Sequence, residues 1–142
     1  DDMSLNSIFS SLDDNAQYIK SQSSYADYYS DFGWFGTLEI LDNVSMYKLD
    51  MLSSNGLALR GSHIDVSTAV FSLLNGWNWI GYSPDITLNL QSALSNIPDG
   101  IATYIKGQTG YADYYSDFGW FGTLETMNYT LTARPPEDNA CT

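Results

Sequence analysis

The sequence predicts an α+β fold of two tandem, mostly antiparallel β units, each carrying one short amphipathic helix. Three observations predict it. A segment of the chain recurs unchanged, an apolar stripe at helical spacing precedes each copy, and most of the remainder alternates apolar with polar residues between Gly, Asn and Pro punctuation. With 142 residues, 44% hydrophobic content and 15% aromatics, the chain has ample material for a packed core.

The repeat is the strongest signal. Residues 25–39, Tyr-Ala-Asp-Tyr-Tyr-Ser-Asp-Phe-Gly-Trp-Phe-Gly-Thr-Leu-Glu, return without a change as residues 111–125. Upstream, Tyr18-Ile19-Lys20-Ser21-Gln22 answers Tyr104-Ile105-Lys106-Gly107-Gln108 at the same offset. Further upstream, residues 5–12 answer residues 90–97 with the offset shorter by one.

In chain order, Leu5, Ile8, Phe9 and Leu12 fall at i, i+3, i+4 and i+7, as do Leu90, Ala93, Leu94 and Ile97. That spacing gives each copy one short helix with a single apolar stripe, with Ser4 and Asn89 as N-caps. Within the repeat, Gly33 and Gly36 bracket Trp34-Phe35 and predict a bulge or a close backbone approach. Residues 46–51 alternate as a strand, and Asn55-Gly56 predicts a hairpin into Leu57-Ala58-Leu59-Arg60. Asn75-Gly76 predicts a second hairpin, joining residues 70–74 to a Trp77-Asn78-Trp79 strand that runs to Tyr82. Pro98 and Asp99-Gly100 stop the second helix and turn the chain into an extended segment over residues 101–105. Tyr129-Thr130-Leu131-Thr132-Ala133 takes the place of residues 47–51, and Pro135-Pro136 ends any strand.

These elements divide the chain into a first unit at residues 1–62, a second at 63–134 and a C-terminal tail at 135–142. The first unit lacks a Trp-x-Trp strand of its own, because counting back from residues 76–82 lands before residue 1. A sheet short of a strand exposes unpaired backbone groups beside apolar surface, which something must cover. A strand from a neighbouring copy, the chain's own tail and residues upstream of the sequence are the three candidates. The first predicts head-to-tail polymerisation by strand addition.

The charge excludes some partners. Seventeen acidic residues against five basic ones give a net charge of -12. Phosphate binding needs a basic face, so nucleic acid is excluded, and an anionic membrane repels the chain. No apolar run approaches the roughly 18 residues that span a bilayer, so no membrane insertion is expected. The chain opens on Asp1-Asp2 rather than a basic and apolar leader, so any export signal is expected to have been removed. Sequons at Asn43-Val44-Ser45 and Asn128-Tyr129-Thr130 make Asn43 and Asn128 the expected glycosylation sites of an extracellular or cell-surface protein. Cys141 stands alone, either as an unpaired tail thiol or as a link to another chain.

The run Gly76-Trp77-Asn78-Trp79-Ile80-Gly81-Tyr82, then a helix, Tyr-Ile-Lys-x-Gln, Tyr-Ala-Asp-Tyr-Tyr and Gly-Trp-Phe-Gly-Thr-Leu resembles an uncharacterised tandem repeat. That repeat occurs in large secreted or surface proteins of aquatic bacteria and microbial eukaryotes. The likeness covers most of the chain. It departs at the absent first strand and at Thr126-Met127-Asn128, where such repeats turn through Pro-Gly before a Gly-Tyr-Met strand. The resemblance implies an extracellular, multi-repeat, non-catalytic protein and brings no catalytic residues with it.

No enzyme chemistry is expected. His63 is the one histidine, set in Gly61-Ser62-His63 and read as a plain loop residue, so a Ser-His-Asp triad or a histidine metal cluster has little to build from. Asp27 and Asp31, repeated as Asp113 and Asp117, read first as solvated strand-edge carboxylates, then as ligands of a calcium ion, although no Ca²⁺-loop motif is present, and last as the paired carboxylates of a glycosidase, for which no separate acid is identifiable. No other cofactor is implied. Tyr25, Tyr28, Tyr29 and Trp34, with Tyr111, Tyr114, Tyr115 and Trp120, are the candidates for an interface or a sugar-stacking surface, since exposed aromatic rings beside carboxylates suit both. About half of these rings, with Trp34, Trp120, Trp77 and Trp79 foremost, are expected in the core. The expected function is a structural subunit of an extracellular filament or surface assembly whose partner is itself. The alternative is a carbohydrate-binding or adhesion module of a longer surface protein.

Overall fold

A computed structural model describes residues 2–59, 61–62 and 65–128. Its described residues form three antiparallel sheets and two short helices. His63, Cys141 and the expected strand at residues 129–133 lie outside the described residues.

Helix α1, Leu5–Ile8, continues through non-helical turns that bring Phe9 and Leu12 into the core beside Leu5. The predicted stripe is therefore buried, although only its first turn is α-helical. Strands β1 (Ala16–Lys20), β2 (Tyr25–Tyr29), β3 (Gly33–Gly36) and β4 (Lys48–Met51) form one sheet in the order β3-β2-β1-β4. Alternation sends Ala26 and Trp34 to the helix side, and a register shift between Ala16 and Tyr18 lets β1 turn both Ala16 and Ile19 the same way, where Leu5, Phe9, Leu12 and Leu38 complete the core.

The later residues follow the same pattern. Strand β5 (Leu88–Asn89) leads into helix α2 (Leu90–Ala93), followed by β6 (Tyr104–Lys106), β7 (Tyr111–Tyr115), β8 (Gly119–Gly122) and β9 (Thr126–Met127). Strands β6-β7-β8 form a sheet and β5 pairs with β9. Register repeats residue for residue: Tyr18↔Asp27 and Asp27↔Phe35 match Tyr104↔Asp113 and Asp113↔Phe121. Even the bridge Ser4↔Ile40 has its match in Asn89↔Thr126. Asn6 Oδ1 accepts from the Trp34 amide at 3.0 Å, and Gln91 at the corresponding place donates to the Trp120 carbonyl at 3.3 Å.

Gly33 and Gly36 have separate tasks. Gly33 takes φ +85 to close the β2-β3 turn, and a side chain at Gly36 would run into the Tyr25 carbonyl, so the predicted close approach is present. Of the two expected caps, Asn89 accepts from the Ser92 amide at 2.8 Å, whereas the Ser4 side chain makes no cap bond.

Two expected hairpins are absent. Among the described residues, 57–59, 70–74 and 77–79 join no strand. Gly56 lacks the positive φ that a type I′ turn needs. Gly76 has it, at φ +92, but the Asn78 side chain takes over the backbone groups that a ladder would use: it accepts from the Leu74 amide and donates to the Leu74 and Gly76 carbonyls. A local side-chain network has replaced strand pairing there. Val70, Leu74 and Trp77 consequently stay exposed, which corrects the expectation that Trp77 is core.

Candidate interaction surfaces

Alternation fixes which aromatic residues can meet a partner. On β2, Ala26 and Tyr28 face the helix, so Tyr25, Asp27 and Tyr29 face away. On β3, Trp34 faces in and Phe35 faces out. Trp34 lies 5.6 Å from Phe9 and 5.4 Å from Tyr28, centroid to centroid, and Trp120 lies 5.3 Å from Tyr114. Tyr28, Trp34, Tyr114 and Trp120 are thus half-buried packing residues. Tyr25, Tyr29, Tyr111 and Tyr115 are the members of the predicted set that reach solvent.

The outer face also carries phenylalanines of the repeated segment. Phe35 and Phe121 are each 69% exposed, and Phe32 and Phe118 cap the turns before β3 and β8 with most of their rings in water. Tyr29 stacks on Phe32 at 4.8 Å and Tyr115 on Phe118 at 4.9 Å. Tyr18 stacks on Tyr25 and Tyr104 on Tyr111, each at 6.0 Å. Each face is a near-continuous aromatic strip with one half-buried carboxylate, Asp27 or Asp113, between a tyrosine and a phenylalanine. The signal that marks Phe35 and Phe121 is the period-2 alternation itself, since they sit one residue from an inward Trp. Asp31 and Asp117 lie exposed in the adjoining turns. Among the described residues no cluster of acidic, histidine or cysteine side chains could hold a metal ion.

A second surface involves the Trp-x-Trp run. Its backbone is held by one side chain: Gln22 Oε1 accepts from the Trp79 amide and Gln22 Nε2 donates to the Trp77 carbonyl, both at 2.8 Å. A primary amide presents an N–H donor and a carbonyl acceptor side by side in one plane, so Gln22 imitates a neighbouring strand across residues 77–79. Trp79 then lies against Lys20 and Lys48, a facing pair on β1 and β4, with their ammonium groups 5.5 and 4.7 Å from its ring centroid. Two like charges opposite each other repel, and the ring's negative face between them offsets part of that.

Downstream, Ile80 bridges Ser45, the Gly81 amide donates to the Val44 carbonyl at 2.7 Å, and the Ser83 hydroxyl donates to the Asn43 carbonyl. The loop that receives them is shaped by Asp42, whose carboxylate accepts from the Val44 and Ser45 amides and the Ser45 hydroxyl. Burial acts to raise the Asp42 pKa, but those three donors together outweigh it and hold the carboxyl below its ordinary value. On its other side the run touches β6, with Trp77 edge-on to Tyr104 at 5.7 Å. A cleft of about 350 Å³ opens beside this junction, lined by Gln22, Ser45, Phe71, Leu74 and Trp79.

Of the sequon asparagines, Asn43 is exposed on the Asp42 loop and Asn128 is half-buried just after β9. No family model, curated protein or solved structure matches the chain. No helix among the described residues is long and apolar enough to cross a membrane.

Proposed function

We propose that the chain is a non-catalytic structural subunit of an extracellular assembly, built from two tandem units that join like units head to tail. The observation that carries this reading is the junction at residues 77–83. The run that opens the second unit is bound by backbone and amide hydrogen bonds to the turn and loop of the first, with a tryptophan seated on two lysines. A contact made by one end of a unit on the other end of its neighbour is heterologous, and repetition of such a contact propagates rather than closes. The net charge of -12 argues against nucleic acid as a partner. Sedimentation velocity at micromolar concentration tests the reading. A concentration-dependent ladder of species supports it, and a single monomeric boundary up to 100-fold dilution series limits would remove it.

The twin outer faces favour a second reading, in which the assembly displays a carbohydrate-binding or adhesion surface. Two identical aromatic strips, each with a carboxylate in its middle, suit a repetitive ligand that both engage at once. A glycan array probed with the whole protein checks this. Loss of array signal in the doubly substituted Phe35→Ser, Phe121→Ser protein is expected, and an array with no signal at all would exclude it. N-linked glycans at Asn43 and Asn128 remain part of the proposal.

A further inference from the structure

We infer that Asn55 is a site of spontaneous covalent modification, at which the Asn55-Gly56 pair converts to aspartate and isoaspartate without an enzyme. The site stands apart from the proposed assembly and does not depend on it. The chain has two Asn-Gly pairs, Asn55-Gly56 and Asn75-Gly76, and neither turns one strand into another. Their surroundings differ in the property that decides this chemistry.

At Asn55 the reacting groups are already in contact. The Gly56 amide donates to Asn55 Oδ1 at 2.8 Å, which folds the side-chain amide back over the backbone nitrogen that can close a five-membered ring on it. Both residues are exposed, and residues 53–59 belong to no helix or strand. Gly56 has nothing within 4 Å of where a side chain would begin, so neither a Cβ nor a neighbouring atom hinders the approach. The reaction needs only water. The Gly56 nitrogen gives up its proton and bonds to Asn55 Cγ, the Cγ–Nδ2 bond breaks, and Nδ2 takes up a proton and leaves as ammonia. Water then opens the cyclic imide at either of its two carbonyls. Opening at the side-chain carbonyl leaves aspartate, and opening at the backbone carbonyl routes the main chain through the side chain as isoaspartate. Either product adds a negative charge just after β4, and because nothing packs on Gly56 both can accumulate without disturbing the sheet.

Asn75-Gly76 has the same residues in a clamp. The Asn78 side chain accepts from the Leu74 amide at 2.8 Å and donates to the Leu74 and Gly76 carbonyls at 2.8 and 3.0 Å. Those bonds pin the peptide groups before and after the Asn75-Gly76 bond. Ring closure requires that bond to swing toward the Asn75 side chain, and the clamp resists the swing.

The whole protein, aged in buffer made with heavy-oxygen water at neutral and mildly alkaline pH and then mapped by mass spectrometry of its peptides, tests the assignment. The label enters where an imide opens during ageing. Asn55 is expected to convert at least about fivefold faster than Asn75, and faster at the higher pH because the attacking nitrogen must lose its proton. In guanidinium chloride the clamp is gone and the two rates should converge. Gly56→Ala should slow the reaction at Asn55 about tenfold by crowding the nitrogen, and Asn78→Ala should speed Asn75 severalfold. Absence of label at Asn55, equal rates at the two pairs in the folded protein, a difference that persists in guanidinium chloride, or variants that convert as the parent does would each overturn the inference.

Discussion

At Gly36 the β3 backbone presses against the Tyr25 carbonyl so closely that even a methyl group would displace a strand, and Gly122 meets Tyr111 in the same way. Gly56, by contrast, has nothing within 4 Å of where a side chain would begin and an ordinary φ. Gly36→Ala is therefore expected to destabilise the protein by about 1–3 kcal/mol through overpacking, while Gly56→Ala stays within about 0.5 kcal/mol of the parent or gains slightly. Thermal unfolding of the two variants checks this pair, and equal costs would contradict the geometry. The motif Gly-Trp-Phe-Gly made a close approach legible in the sequence. That Trp34 points inward was also expected, but that Phe35 stays exposed beside it follows from the helix, which decides which of the two faces is the core.

Among the elements, the 42–45 loop depends on a single carboxylate. Asp42 has a lowered pKa, so its contribution to stability is fully present above the ordinary carboxylate value of roughly 3.9 and is lost as pH falls through the depressed folded value. Below about pH 4 the loop, and with it the Gly81–Val44 bond, should loosen before the β1-β2-β3 sheet does. Amide exchange at Gly81, Val44 and Ser45 measured between pH 5 and pH 3 should show selective loss of protection there, and Asp42→Asn should remove most of the pH dependence. A uniform response across the sheet would refute it. The β2-β3 and β7-β8 hairpins were visible as a repeat, and their common register follows from identical turns. The expected hairpins at Asn55-Gly56 and Asn75-Gly76 failed for a reason that no period reveals. At the second of these the Asn78 side chain competes with the ladder for the same donors and acceptors.

For the whole molecule, the sheets β3-β2-β1-β4 and β6-β7-β8 both touch residues 77–83, and Trp79 is the piece whose removal tells most. Trp79→Ala leaves both sheets' cores intact but removes the ring from Lys20 and Lys48. Exchange at the Gly81 and Trp77-adjacent amides should rise by about tenfold while β2 and β7 stay protected. Hydrogen exchange with site resolution measures it, and simultaneous loss in β2 would mean that Trp79 is part of the first core instead. The same scale governs solubility. Phe32, Phe35, Phe118 and Phe121 together expose enough apolar surface to call for a partner. Replacing Phe35 and Phe121 by serine should change stability by no more than about 0.5 kcal/mol each, since neither is buried, while lowering any self-association seen in sedimentation.

The sequence by itself determined the α+β class, the apolar stripe that precedes each copy, the duplication of residues 25–39 and the close approach at its glycines, because these depend on local spacing and backbone sterics that act within a few residues. The tertiary structure decided which aromatic residues reach solvent, and it decided that the Trp-x-Trp run is held by a glutamine side chain and two lysines from the other half of the chain instead of by a strand of its own. Those outcomes depend on contacts between residues tens of positions apart, where no local period carries information and only the folded arrangement selects the partner.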